Sequence, residues 1–325
     1  MSALAGEKTA KPDLATGMVS FVIPFLNEEK TLSDLQERID ATMGDIGRPH
    51  EIIFVDDGST DNGSAIAEDL ARTHSHVRSL RFTRNFGKAA ALSAGFQAAN
   101  GDVIITMDAD LQDDPAEIPR FLEQFEHGYE VVSGWKKKRN DPLGKTLPSK
   151  VFNRLTSWLF DIDIHDINCG FKAYSRRAAK HLNLYGELHR FTPALLHAAG
   201  FKVTEIDVQH HAREHGVSKY GASRMVKGFL DLITVKMVTR YSARPLHFFA
   251  LLGAPLFLLG GAFVTYLTIL WFLGLGPIGT RPLLQIGILL IVTGTQLIGV
   301  GLVAELVQTT RLSEREKYVI DQVID

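Results

Sequence analysis

Two long segments near the C-terminal end of this chain carry no charged residue, and they restrict its fold more than any other feature. They cover residues 248–273 and 282–304, and each exceeds the roughly 20 residues that a helix needs to cross a bilayer. In lipid the backbone must satisfy its own hydrogen bonds, so segments of this kind fold as helices. We therefore predict a transmembrane hairpin over residues 246–310. The alternative is a buried helical hairpin in a soluble core.

Basic residues flank the outer ends of the predicted hairpin, whereas its turn holds only Arg281. They are Arg240, Arg244, Arg311, Arg315 and Lys317. Because cytoplasmic loops are enriched in Lys and Arg, the large N-terminal part and the tail at residues 311–325 are predicted to lie in the cytoplasm. The single cysteine, Cys169, fits a reducing compartment. Residues 1–17 lack the apolar core of a signal peptide and are predicted to be a disordered tail.

The part of the chain before the hairpin alternates short apolar segments with patterns of helical spacing. The predicted strands cover residues 19–23, 51–55, 77–82, 103–106 and 130–133. This alternation is typical of an α/β fold, in which a mostly parallel sheet carries helices on both faces. Ligands of such sheets bind outside the carboxyl ends of the strands. The formal net charge of −2 does not indicate a nucleic-acid partner.

Two carboxylates one residue apart, Asp108 and Asp110, follow the predicted strand at residues 103–106. In an extended chain residues two apart point the same way, so both carboxylates can face one point. Oxygen ligands of this kind suit Mg²⁺ or Mn²⁺, which shares phosphate oxygens with a substrate. The alternative is an ordinary Asp-rich turn. The nearby Asp114, followed by Pro115, has the pattern of a helix cap.

Polar residues also follow three other predicted strands, at residues 24–28, 56–60 and 83–88. The carboxyl ends of parallel strands meet at one edge of a sheet, so these residues are predicted to form one site with the Asp pair. The first strand is not followed by Gly-x-Gly-x-x-Gly, and the chain lacks the full phosphate-loop signature Gly-x-x-x-x-Gly-Lys-Ser/Thr. Both absences disfavour a dinucleotide oxidoreductase and a phosphate-loop enzyme.

Taken together, these motifs resemble those of the family 2 glycosyltransferases, which have the Rossmann-like GT-A fold. The closest likeness is to the membrane-bound polyprenyl-phosphate and dolichol-phosphate branch, and it covers nearly all of residues 18–310. The motifs are residues 23–29 (IPFLNEE), 55–61 (VDDGSTD), 84–88 (RNFGK), 108–113 (DADLQD), 168–172 (NCGFK), 189–193 (HRFTP), and 213 with 216–220. The resemblance implies a cytoplasmic GT-A catalytic domain at residues 18–218.

The resemblance also implies which residues bind the sugar nucleotide, which would be linked to UDP or GDP. Residues implied to line the nucleoside pocket are Pro24, Asn27 and Glu28. Asp57 would hydrogen-bond the base or ribose, and Lys88 would lie near the nucleotide.

A second group of implied residues binds the metal and the phosphates. Asp108 and Asp110, with Gln112 nearby, would hold the Mg²⁺ or Mn²⁺ that bridges the diphosphate. The phosphates would also meet Arg213, Ser218 and Lys219, from a loop that closes over the site.

The implied reaction is an inverting transfer of a sugar to a polyprenyl phosphate, such as undecaprenyl or dolichyl phosphate. A phosphate monoester has its second pKa near about 6 and is largely ionised at neutral pH. The acceptor is thus already a nucleophile, and a strong general base is less necessary than for a hydroxyl acceptor. The residues predicted to act in catalysis are Asp110, Arg213 and Asp166. Asp166 is predicted to act as a base or a positioning group; the alternative is an ordinary loop aspartate.

Several segments are predicted to meet the membrane or a partner. Residues 219–245 have an amphipathic pattern, which predicts interfacial helices or a helix packed on the catalytic domain. The basic run at residues 136–139 is predicted to bind lipid phosphate or to be a solvated loop. Glycines in the hairpin permit close helix contact and a homo-oligomer. A bacterial inner membrane is favoured over the endoplasmic reticulum.

Two other functions are weighed against this one. A polysaccharide synthase of the same family normally carries a Gln-x-x-Arg-Trp motif, which this sequence lacks, and more membrane spans. A non-catalytic membrane subunit that binds nucleotide sugar is the other alternative. The intact Asp108, Asp110, Lys88 and Arg213 argue against it.

Overall fold

The computed structural model describes residues 14, 17–137, 156–157, 159–209, 232–237, 239, 241 and 244–311. Contacts divide the chain into two units, Met1–Leu232 and Ile233–Asp325. Most of the predicted N-terminal tail, of the interfacial segment 219–245 and of the C-terminal tail lies outside the described residues.

The first unit contains a seven-stranded sheet in the order β3-β2-β1-β4-β6-β5-β7. The strands are β1 Val19–Phe25, β2 His50–Asp56, β3 Val77–Arg81, β4 Val103–Thr106, β5 Val131–Trp135, β6 Lys172–Ser175 and β7 Val203–Asp207. Within the sheet β6 runs antiparallel to both β4 and β5, whereas the other paired strands are parallel. The prediction of an α/β fold with a mostly parallel sheet is confirmed.

The direction of β6 determines which of its ends reaches the carboxyl edge of the sheet. Its first residue, Lys172, pairs with Thr106, the last residue of β4. The chain that leads into β6 therefore meets the carboxyl ends of β1, β2 and β4 at the same edge.

Helices cover both faces of the sheet. They are α1 Leu32–Ile46, α2 Gly63–Thr73, α3 Lys88–Ala98, α4 Ile118–Glu126, α5 Arg176–His181 and α6 Thr192–Ala198, with short 3-10 helices at Pro115–Glu117 and Leu188–Phe191. Phe21 of β1 belongs to a core with Leu35 of α1 and Phe121 of α4. Val22, whose side chain points the opposite way, lies against Gly95 of α3. Because both faces are covered, every residue of β1 is buried, and the strands have near-continuous apolar sequences.

The second unit contains two long helices, α7 Pro245–Phe272 and α8 Pro282–Arg311. Both are long and apolar enough to cross a membrane, and only 11% and 17% of their most apolar windows are buried inside the structure. Such exposure disfavours the alternative of a buried hairpin in a soluble core.

Glycines bring the two helices into close contact. A Cβ at Gly253 would lie 2.7 Å from the carbonyl oxygen of Gly294, and one at Gly260 would lie 2.6 Å from that of Gly287. At the end of the hairpin away from its turn, Glu305 of α8 accepts a hydrogen bond of 3.1 Å from the amide of Leu246, in the first turn of α7. This carboxylate satisfies one of the amides that a helix start leaves unpaired.

Candidate active site

The loops after β1 and β2 are joined to each other through Asn27. Its backbone φ is +62°, a left-handed conformation that asparagine tolerates better than most residues. The amide of Asn27 donates to the hydroxyl of Ser59 at 3.0 Å, and its side-chain oxygen accepts from the amide of Thr60 at 2.8 Å. Pro24 is buried inside β1, whereas Glu28 is partly exposed in the loop. Of the three residues predicted to line the nucleoside pocket, Asn27 is thus the one that links the two loops by hydrogen bonds.

Asp57 joins the loop after β2 to the start of α3. Its carboxylate accepts hydrogen bonds from the amides of Phe86 at 2.7 Å and Gly87 at 3.0 Å. An ionised carboxylate offers about four lone-pair sites, so this role leaves acceptor capacity for a ligand. The loops approach so closely that a Cβ at Gly58 would lie 2.6 Å from the carbonyl carbon of Arg84.

Beside Asp57 lies an open cleft of about 500 Å³. It is lined by Gly58, Ser59, Thr60, Arg81, Phe82 and Thr83. Its volume falls in the range of about 300–1,000 Å³ that is usual for small-molecule sites.

Lys88, the first residue of α3, forms an ion pair with Asp108 after β4. Desolvation of the Asp108 carboxyl raises its pKa, but the ammonium of Lys88 outweighs this and lowers the pKa to about 2. Asp108 is therefore ionised at neutral pH, as a metal ligand must be. Asp57 thus fixes the backbone of Phe86 and Gly87, and the next residue, Lys88, reaches the Asp108 carboxylate.

Asp110 is buried, and its carboxylate accepts a hydrogen bond of 3.2 Å from the amide of Gln112. The chain turns at Ala109 and Asp110, and Leu111 has a φ of +59°. The reasoning from an extended chain was therefore wrong: a turn, and not strand alternation, orients the two carboxylates. Asp108, which precedes this turn, lies within five residues of Asp110 and Gln112 along the chain. Their oxygen donors are those that Mg²⁺ and Mn²⁺ prefer.

Gly170, which precedes β6, lies directly against Asp108. A Cβ at this position would lie 2.6 Å from the Oδ2 atom of Asp108, so only glycine fits without a shift. Two residues later, the Lys172 ammonium is buried and donates to the carbonyl oxygens of Ile167 at 3.1 Å and Arg190 at 3.4 Å. Burial lowers the pKa of Lys172 to about 8. Sequence reasoning noted this motif without assigning either residue a role.

His189 is a further polar group near this edge that sequence reasoning did not place in the site. Burial lowers its pKa to about 3, with added repulsion from Lys88, so the ring is neutral at physiological pH. Its Nδ1 atom has no hydrogen-bond partner among the described residues.

The first two residues of the basic run at 136–139, Lys136 and Lys137, have different surroundings. Lys136 forms an ion pair of 2.9 Å with Asp113, and both side chains are largely buried. Burial lowers the pKa of Lys136, but the carboxylate of Asp113 more than compensates and raises it. Because its side chain is largely buried against Asp113, Lys136 fits neither the predicted lipid contact nor the alternative of a solvated loop. Lys137 lies over the ring of Trp135 at 5.3 Å, and residues 138–139 lie outside the described residues.

Asp166 is only 1% exposed. A group so deeply buried does not face an acceptor directly, so the burial favours a positioning role over that of a base. Burial raises the pKa of the nearby Cys169 thiol to about 12, which keeps it protonated and inert. The predicted phosphate ligands Arg213, Ser218 and Lys219 lie outside the described residues.

Comparisons with known proteins identify relatives of this chain. The family profile described as "Glycosyl transferase family 2" matches residues 20–182. The chain is 39% identical over 316 residues to the dodecaprenyl-phosphate galacturonate synthase of Rhizobium johnstonii, with 94% of this chain and 93% of that protein covered. It is 34% identical over 311 residues to the undecaprenyl-phosphate 4-deoxy-4-formamido-L-arabinose transferase of Pseudomonas aeruginosa, with 94% and 90% covered.

Among solved structures, the fold is similar to that of glucosyl-3-phosphoglycerate synthase from Mycobacterium tuberculosis in complex with Mn²⁺, UDP and phosphoglyceric acid. The TM-score is 0.53 at 19% identity, over 69% of this chain and 78% of that chain. At this identity the likeness concerns the fold. The curated relatives, by contrast, align along 94% of this chain, so neither the sheet nor the hairpin lies outside the match. The chain therefore belongs to glycosyl transferase family 2, in the branch of the polyprenyl-phosphate sugar transferases.

Proposed function

We propose that this enzyme transfers a sugar, with inversion, from a nucleoside-diphosphate sugar to a polyprenyl phosphate at the cytoplasmic face of a membrane. The observation that carries the proposal is the 39% identity to a dodecaprenyl-phosphate galacturonate synthase over 94% of this chain. Because the alignment covers 94% of this chain, it includes both the residues at the strand ends and the apolar hairpin.

The donor nucleotide would occupy the carboxyl edge of the sheet, from the cleft beside Asp57 to the Lys88–Asp108 pair. The cleft would take the nucleoside, with Asp57 as acceptor, and Pro24, Asn27 and Glu28 remain predicted residues of the nucleoside pocket. UDP in a fold neighbour supports a uridine nucleotide; a guanosine nucleotide is the alternative.

Asp108 and Asp110, with Gln112, would hold Mg²⁺ or Mn²⁺, and a fold neighbour crystallised with Mn²⁺ supports this cofactor. Such an ion would neutralise the charge that develops on the leaving diphosphate. The ammonium of Lys88 already lies at Asp108 and would donate to the same phosphates. Arg213, Ser218 and Lys219 remain predicted phosphate ligands.

The acceptor phosphate would attack the anomeric carbon without a strong general base. Because Asp166 is buried, we assign it a positioning role for the loop that leads into β6. The ring of His189, which interacts electrostatically with Lys88 and Asp108, would help to shape the site from the side of the chain that follows β6.

The hairpin would anchor the catalytic unit where the acceptor lipid lies. The basic residues at both outer ends of the hairpin support a cytoplasmic location for the catalytic unit. The bacterial curated relatives favour a bacterial inner membrane.

The test is transfer of radiolabelled sugar to a short-chain polyprenyl phosphate in detergent, over a panel of nucleotide sugars with Mg²⁺ or Mn²⁺. We expect metal-dependent transfer that Asp110→Ala abolishes and that the matched control Asp114→Asn retains, because Asp114 caps the 3-10 helix through the amide of Ala116. Undiminished transfer by Asp110→Ala would remove the metal assignment. Nucleotide-sugar binding without transfer to any acceptor would favour the non-catalytic subunit instead.

A further inference from the structure

Three potential metal ligands converge at the opposite edge of the sheet from the active site. Asp40, His50 and His76, here called the edge triad, each offer one ligand atom, and these atoms all lie within 4.8 Å of one another. The Nε2 atoms of His50 and His76 lie 2.8 Å and 2.9 Å from the same Oδ1 atom of Asp40. Among the described residues this is the one group of three such side chains.

The backbone holds the edge triad in place. His50 is the first residue of β2 and pairs with Val19 of β1. The carbonyl oxygen of His76 accepts a hydrogen bond of 2.9 Å from the amide of Ile52 in β2. Asp40 lies on α1. The three ligands therefore come from a helix, a strand and a strand entry that belong to one packed core.

The donor set favours a transition metal over the metals of the active site. Imidazole nitrogen suits Zn²⁺, whereas Mg²⁺ prefers oxygen ligands alone. Zinc binds His nitrogen at about 2.0–2.1 Å and carboxylate oxygen at about 2.0–2.2 Å, often with three protein ligands and a water in the fourth position. The side chains are 28%, 16% and 29% exposed, so an ion can enter while most of each ligand stays enclosed.

The edge triad is separate from the diphosphate site. With a rise of about 3.3 Å per residue, the seven residues of β2 separate His50 from the active-site edge by about 20 Å. No ligand of the edge triad can therefore reach an ion bound at Asp108.

We propose that Asp40, His50 and His76 bind Zn²⁺ as its three protein ligands, with a water in the fourth position, and that the ion fastens α1 to the start of β2 and the entry of β3. Binding requires each neutral ring to carry its proton on Nδ1, since Nε2 must present its lone pair to the ion. Zinc would then replace the imidazole–carboxylate hydrogen bonds of the edge triad with three ligand bonds.

The experiment uses the full chain in detergent, stripped with a chelator and carrying Asp110→Asn to weaken metal binding at the active site. Zn²⁺ is titrated by calorimetry, Co²⁺ is followed by its visible absorption as a tetrahedral probe, and thermal unfolding is measured with and without Zn²⁺. We expect one Zn²⁺ per chain and a rise in Tm.

Two variants remove a ligand: His76→Ala and Asp40→Asn, the second of which keeps the volume and one hydrogen-bond acceptor. Loss of a residue that only hydrogen-bonds a metal ligand typically weakens metal binding by about 10–100-fold. Because these two variants remove a ligand itself, each is expected to weaken Zn²⁺ binding by more than that. His74→Ala is the matched control, because its ring lies 5.8 Å from that of His76 and outside the edge triad. Equal Zn²⁺ affinity in His76→Ala and the parent overturns the proposal. So does a parent whose Tm does not respond to Zn²⁺, which would make the edge triad a hydrogen-bonded cluster only.

Discussion

Gly170→Ala tests whether the chain entering β6 positions the Asp108 carboxylate. A Cβ at this position would lie 2.6 Å from Oδ2, 2.8 Å from Cγ and 2.9 Å from Oδ1 of Asp108, whereas ordinary contact begins near 3.4 Å. The three atoms nearest to the new methyl group all belong to the end of one side chain, so the carboxylate can turn away without unfolding the sheet. A displacement of about 1 Å is enough, and such a misplacement can lower a rate by about 10²-fold.

The assay is initial-rate transfer to polyprenyl phosphate, with Tm measured on the same samples. Gly170→Ala is expected to lose about 10²-fold in rate and little in Tm. Gly95→Ala is the contrasting variant, because its Cβ would lie 2.2 Å from Cγ1 of the buried Val22. Overpacking of a core typically costs about 1–3 kcal/mol, so this variant should lose Tm. Gly44→Ala, which meets nothing within 4 Å, should retain both properties.

Full activity in Gly170→Ala with an unchanged Mn²⁺ dependence would refute the reasoning, because it would show that the position of Asp108 does not limit transfer. A large loss of Tm in Gly170→Ala would also refute the reasoning, because it would show that the Asp108 carboxylate cannot turn away from the new methyl group.

Two further predictions concern stability. Lys136→Met should lower the free energy of unfolding by about 3–5 kcal/mol, since it removes the cation that lies 2.9 Å from the buried Asp113 carboxylate. Chemical denaturation measures this, and an equal loss in the control Lys137→Met would contradict it. The pKa of Glu51 is lowered because hydrogen bonds from Ser20 and Asn100 outweigh the burial that raises it, so the ionised carboxylate stabilises the fold above its ordinary pKa of 4.5. This contribution should be lost as the pH falls through the lowered pKa, and Tm should fall less steeply with acid in Glu51→Gln than in the wild type; identical slopes would refute it.

The sequence by itself determined the features that depend on local pattern. Two uncharged segments longer than a bilayer span predicted α7 and α8, because apolar length alone decides that a helix can cross lipid. Alternating strands and helices predicted the α/β class, and Asp108-Ala109-Asp110 predicted a cluster of oxygen ligands at a strand end. The motifs also carried the family resemblance that the comparisons confirmed.

Strand order was decided only by the tertiary structure. Nothing in the local pattern of residues 172–175 shows that β6 runs antiparallel between β4 and β5, since pairing depends on packing between distant parts of the chain. That placement sets Gly170 against Asp108 and buries Lys172 at the same edge.

The same limit applies to charged side chains. Lys136 read as part of a basic surface run, because sequence shows the charge but not the buried carboxylate of Asp113 beside it. Asp40, His50 and His76 show no ligand spacing in the sequence, and the sheet brings them together only because β2 and β3 start at the edge where α1 passes. Local periodicity predicts which residues are buried; which distant residues meet is a property of the packed sheet.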